Sequence, residues 1–249
     1  MTATSHRPIS SPNVLRHLYL LFLREQLTRG RLILAGVLGG LSVFIAFMMA
    51  RNLGDSATAD TIAFIALFGL GLAIPIQALV MASSSLGNLV EDETLVYLWM
   101  RPNPRWLLAG AAWLASLTMS MPLIVAPFTL TAAVGSRGDL ETTGATALAV
   151  LLAVVGYTGL FTFLGLVTRW SLIWGLVYVV IWETIVSRAG AGAARLSVVS
   201  YASSVLSRIT EEELPQSDRA MASGLVVPFA IAIVAIALTT WRLNKTTVA

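Results

Sequence analysis

The chain has 249 residues, 57% of them hydrophobic and 12% charged, with a formal net charge of +3. A soluble domain is about 25% charged and roughly 45–50% apolar, so this composition excludes a water-soluble globular domain and leaves room for about six spans of ~20 apolar residues each. Cysteine is absent, which excludes disulfide frameworks, thiolate metal sites, iron–sulfur clusters and c-type haem attachment, and fifteen Arg against one Lys make no nucleic-acid footprint.

Met1 to Pro12 is rich in Ser, Thr and Pro and reads as a loosely ordered tail. No cleavable signal peptide is expected, because the apolar run Leu18 to Leu23 is too short and no small-residue cleavage pattern follows. Val14 to Arg29 predicts a helix. Its apolar positions (Leu15, Leu18, Tyr19, Leu21, Phe22, Leu27) sit among Arg16, Arg24, Glu25 and Arg29, the composition of a helix lying in the membrane interface.

Six apolar segments follow and predict six transmembrane helices: residues 32–50, 61–81, 106–134, 145–167, 170–186 and 225–241. Strand alternation is nowhere sustained, so helices are the spanning structure. The third segment is long, and Pro122 and Pro127 are available to bend it. Only Thr168 and Arg169 separate the fourth and fifth, which requires a tight hairpin. With the N-terminus inside, ten basic residues fall on the inner side against six outside, so both termini are expected in the cytoplasm.

Two connections are longer than turns. In the inner one, residues 82–105, Asn88 and Glu91 have capping-box spacing. Glu91, Asp92 and Glu93 would then fill the first turn of a surface helix, where negative charge meets the positive end of the helix dipole. Pro102 stops that helix near Met100, after an apolar, aromatic half that includes Leu95, Tyr97 and Trp99. Two readings fit: a surface helix resting on the bilayer, or a docking knob for a cytoplasmic partner.

The segment Glu91-x-x-Thr94-Leu95, an apolar stretch, then Arg101-Pro102-x-Pro104-Arg105 leading into a span, resembles the inner loop of bacterial type-2 ABC permeases. That family commonly has Glu-x-Gly-Thr-Leu; here Glu93 stands where Gly is usual. The resemblance implies a coupling helix on an ATP-binding subunit, with Glu91, Asp92, Glu93, Thr94, Leu95, Tyr97, Trp99, Arg101 and Arg105 as the coupling residues. It further implies two ABC ATPase subunits that bind ATP and Mg, a second permease chain, identical or related, and residence in the bacterial inner membrane.

Glu183 is the lone carboxylate of the predicted spans, about 20 Å beyond Trp170 at 1.5 Å per residue. An intramembrane ionisable group is a functional candidate; the plainer reading is a helix end at the water boundary. The Trp182-Glu183 pair, followed by a Gly/Ala-rich stretch and the Ser- and Tyr-containing segment from Leu196, also resembles the permease family. There the equivalent region, here residues 187–223, forms short re-entrant helices along the translocation path. Ser197, Ser200, Tyr201, Ser203 and Ser204 would give such helices a polar face, and Glu183, Trp182, Ser200 and Tyr201 are the candidates for the path or outer gate.

Other chemistry has little to work with. The chain lacks a phosphate-binding G-x-x-x-x-G-K-[ST] loop, a His-Glu-x-x-His pair and a Gly-x-Ser-x-Gly elbow. His6 and His17 have no partner at ligand spacing, so neither metal nor cofactor is expected in this chain, and any ATP hydrolysis belongs to a separate chain. Two other classes remain: a stand-alone secondary transporter or channel centred on Glu183, and a non-transporting membrane anchor that recruits a cytoplasmic protein through the inner loop. The fold expected is thus an all-α polytopic membrane domain spanning residues 1–249: an interfacial helix within 1–31, six spans, a coupling helix and an outer re-entrant segment.

Overall fold

The computed structural model describes residues 11–91, 104–188, 191–215 and 217–245. Among these there is no strand, and the architecture is that of an all-α membrane protein. Five helices are long and apolar enough to cross a bilayer: α2 (Arg29–Asn52), α3 (Ala57–Glu91), α4 (Arg105–Gly135), α5 (Leu140–Val167) and α8 (Met221–Lys245). Helix α1 (Ser11–Gln26) precedes them, and two shorter helices, α6 (Ser171–Glu183) and α7 (Val198–Thr210), lie between α5 and α8.

Helix α1 docks on α4 through one stripe. Leu18, Phe22 and Gln26, four residues apart, are buried, and Gln26 Nε2 donates to Ser116 Oγ at 3.0 Å. Leu20, Leu21 and Leu27 stay exposed on other sides, so the helix has one face for the bundle and apolar surface left for lipid. Ser116, a polar residue within a predicted span, therefore serves helix contact.

Helix α5 is the central post, packed on by α3, α4, α7 and α8. It begins after Asp139, whose side chain accepts from the Thr142 N–H at 2.9 Å as an N-cap. That bond holds the Asp139 carboxyl below the usual carboxylate range. Small residues bring the neighbouring helices close to α5. A Cβ at Gly159 would lie 2.6 Å from the Ala232 Cα of α8, and one at Gly165 would collide with the Ser83 carbonyl of α3. Such contacts replace the hydrophobic drive that helices lack in lipid. Outward faces of α2, α6 and α8 are apolar and exposed, including Ile33, Phe44, Trp174, Ile181, Phe229 and Ile233.

Several boundaries differ from the sequence expectation. The second segment, expected over 61–81, is a continuous helix from Ala57 to Glu91 with a π-helical stretch at Ile65–Ala73. Asn88 is thus inside a helix and caps nothing; its Nδ2 donates to Glu25 Oε1 at 3.2 Å. Glu91 closes α3 and does not open a new helix. Packing of Ser83 and Gly87 on α5 and α6 carries the helix through residues whose own propensity favours a turn. The third segment stays one helix, and Pro122 is absorbed in a π turn at Met121–Val125. The fourth starts at Leu140, five residues earlier than expected, because Asp139 supplies the cap.

The fifth segment, expected over 170–186, is the largest departure. Helix α6 ends at Glu183, and thirteen residues cover about 20 Å, less than the roughly 30 Å hydrocarbon core. The outer region, expected as short helices within 187–223, contains Val186–Arg188, Ala191–Ala194 and the longer α7.

Candidate functional site

Glu183 ends α6 in a π-helical turn, Tyr178–Glu183. Hydrogen bonds in such a turn join residues five apart, and they bring Tyr178 and Glu183 to one side: the Tyr178 hydroxyl donates to Glu183 Oε1 at 2.9 Å. The chain then leaves the helix axis and returns at Ser197, the N-cap of α7. Ser197 Oγ donates to Glu183 Oε2 and accepts from the Ser200 N–H, and the Val198 N–H donates to Glu183 Oε1 at 3.1 Å. Glu183 is 1% exposed, which overturns the water-boundary reading: one carboxyl group joins the end of α6 to the start of α7.

Depth follows from the neighbouring helices. The Tyr157 hydroxyl of α5 neighbours Glu183 and Tyr178 and is fully buried without a completed hydrogen bond. Tyr157 is about 15 Å of helix from Val167 and about 18 Å from Ala145, so the cluster sits close to halfway along the apolar part of α5. Val198 lies against Gly156 and Pro228, whereas Tyr201 and Val205 lie against Gly224, nearer the start of α8. Helix α7 therefore runs from the Glu183 level toward the Asp139 end, opposite to α8. Helices α6 and α7 occupy different halves of the bundle and meet at Glu183.

Of the expected path residues, Ser200 joins this network through Ser197, and its Oγ accepts from Arg219 Nε at 3.3 Å. Tyr201 is 7% exposed and donates to the Arg195 carbonyl at 2.9 Å, bracing the start of α7. Trp182 is half-buried with Nε1 unpartnered and makes no bond to Glu183. Three members of the cluster were not chosen from sequence as site residues: Tyr157, Tyr178 and Ser197. Tyr178 lies five positions before Glu183, off-face in an α-helix, and only the π turn aligns it. Ser197 carried a cap signal that its distance in sequence concealed.

Of the inner-loop candidates, Glu91 lies at the C-terminal end of α3 and Arg105 at the start of α4. Glu91 is exposed and makes no ion pair among the described residues. Arg105, expected in the coupling set, donates from Nη1 to the Leu243 carbonyl at 2.7 Å and so caps the C-terminal end of α8. Asp92, Glu93, Thr94, Leu95, Tyr97, Trp99 and Arg101 lie outside the described residues. Glu91 lines two cavities, of about 450 and 350 Å³. No group of three or more His, Cys, Asp or Glu among the described residues could hold a metal. No family model, curated protein or solved structure matches this chain.

Proposed function

We propose that this chain is the membrane-spanning permease subunit of an ATP-driven ABC exporter. It would cross the bilayer six times, with the α6–α7 pair completing the crossing that neither half makes alone. The observation that carries the reading is the unbroken helix from Ala57 to Glu91. At about 50 Å it exceeds the hydrocarbon thickness, and it links the acidic surface segment to the helices that hold Glu183. Ser83 packs on Gly165 of α5, and Leu79 packs on Gly175 of α6. A push on Glu91 from closing ATPase subunits, which hold the ATP and Mg, would therefore reach both sides of the Glu183 cluster as a rigid-body shift. A second permease chain completes the path.

Purification of the chain from its native membrane tests this. A stoichiometric ATPase partner is expected, and reversing charge by Glu91→Lys with Glu93→Lys should release it while the spans stay folded. A chain that purifies alone in more than one detergent, or a charge-reversed variant that keeps its partner and transports normally, would overturn the reading.

The buried carboxyl group at a helix break supports one second reading, a carrier driven by protons or cations. Such a carrier would move substrate in vesicles without nucleotide, and Glu183→Gln would abolish its pH dependence.

A further inference from the structure

Three cavities, each sharing wall residues with the next, lie where α3, α5 and α6 meet. The first, of about 450 Å³, includes Ser83, Glu91, Arg169 and Trp170 in its walls. The second, of about 350 Å³, shares Glu91, Arg169 and Trp170 with it and reaches Val167 and Thr168. Those two residues also line the third, an apolar crevice of about 420 Å³ that follows α5 and α6 from Thr168 to Leu160 and Tyr178. A wall with charged residues and an apolar crevice thus adjoin at Val167 and Thr168, at the end of α5, an arrangement suited to an amphiphile.

The charges narrow the ligand. Arg31 also lines the first cavity, but its Nη1 donates to the Glu25 carbonyl at 3.1 Å, and the Glu25 charge attracts it. Arg169 and Glu91 are the charges common to the first two cavities, and neither has a hydrogen bond or ion pair among the described residues. Ser83, 1% exposed, forms part of the wall of the first cavity. Trp170 is 60% exposed, as an aromatic at headgroup level is. A matching ligand carries one anion for Arg169, one N–H-bearing cation for Glu91, and a hydrocarbon tail for the crevice.

We propose that this groove binds a phospholipid with an aminoethyl phosphate headgroup, its phosphate on Arg169, its ammonium on Glu91 and one acyl chain between α5 and α6. The site requires only that the chain lie in a bilayer; it shares Glu91 with the ATPase-coupling reading but does not rest on that reading.

The test is native mass spectrometry of the whole purified chain after delipidation, with phosphatidylethanolamine, phosphatidylglycerol or phosphatidylcholine of matched acyl chains added back. The expected result is retention of phosphatidylethanolamine over the other two by roughly fivefold, about what one unscreened cation contributes at a membrane surface. Arg169→Gln should lose that retention, and Glu91→Gln should lower phosphatidylethanolamine to the phosphatidylcholine level. Equal retention of all three lipids by the wild type overturns the proposal without recourse to any variant. Retention unchanged in Arg169→Gln also overturns it. Soluble glycerophosphoethanolamine binding as tightly as the lipid would show that the crevice takes no chain, and would overturn the amphiphile assignment.

Discussion

At Glu183 the two carboxyl oxygens accept from Tyr178, Ser197 and the Val198 N–H, donors that belong to both sides of a chain break. Removing the acceptor strands all three, and an unsatisfied buried donor costs about 1–3 kcal/mol. Glu183→Ala should therefore destabilise the protein by roughly 3–5 kcal/mol. Glu183→Gln keeps one carbonyl oxygen for the Val198 N–H and should cost roughly 1–2 kcal/mol, and Ser197→Ala, which loses a cap and one bond, about the same. Thermal unfolding in detergent, followed by intrinsic tryptophan fluorescence, measures the series; a Glu183→Ala melting curve that overlays the wild type would sink the claim that this carboxyl joins α6 to α7. Glu183 was legible in the sequence as the lone carboxylate of the apolar segments. Its depth was not, because depth depends on how α7, expected as a short re-entrant helix with a polar face, packs: Val198–Leu206 lies on α5 and α8.

Between elements, the approach of α8 to α5 rests on the missing side chain at Gly159. A methyl group there would meet the Ala232 backbone, which cannot rotate away. Gly159→Ala should thus destabilise despite its better helix propensity, by about 1–3 kcal/mol for overpacking, whereas Gly144→Ala, with open space around it, should be neutral or stabilising. The paired melting temperatures decide the point, and equal values for the two variants would remove close packing as the reason for glycine at 159. This scale also shows what a hydropathy pattern carries. Five long apolar runs gave five helices of spanning length, because a run of ~20 apolar residues has few alternatives in lipid. The pattern could not show that α6 stops at Glu183, since Thr184 to Val186 continues the run with little change in polarity. Nor could it show α3 passing through Gly87 and Asn88, where contact with α5 and α6 outweighs local turn preference.

For the molecule as a whole, one end carries more of the basic residues than the other. Arg105 reaches the Leu243 carbonyl of α8, Arg242 reaches the Val167 carbonyl of α5 at 3.4 Å, and Arg31 lies across from Ser83 and Asn88. At the other end Arg137 reaches the Ala50 carbonyl of α2 at 3.0 Å, beside the acidic residues Asp139 and Glu141. Cations at helix C-termini stabilise the last carbonyls, and their excess at this end predicts that it faces the cytoplasm. Since the chain has no cysteine, single substitutions report this without background. Arg29→Cys at the start of α2 and Glu141→Cys at the start of α5 are both exposed and lie at opposite ends. In intact cells a membrane-impermeant maleimide should label the Glu141 position at once and the Arg29 position only after permeabilisation. The reverse pattern would place the Glu91 segment outside the cell, where no ATPase could reach it, and labelling of both positions from one side would contradict a bundle that crosses the bilayer along α2 and α5.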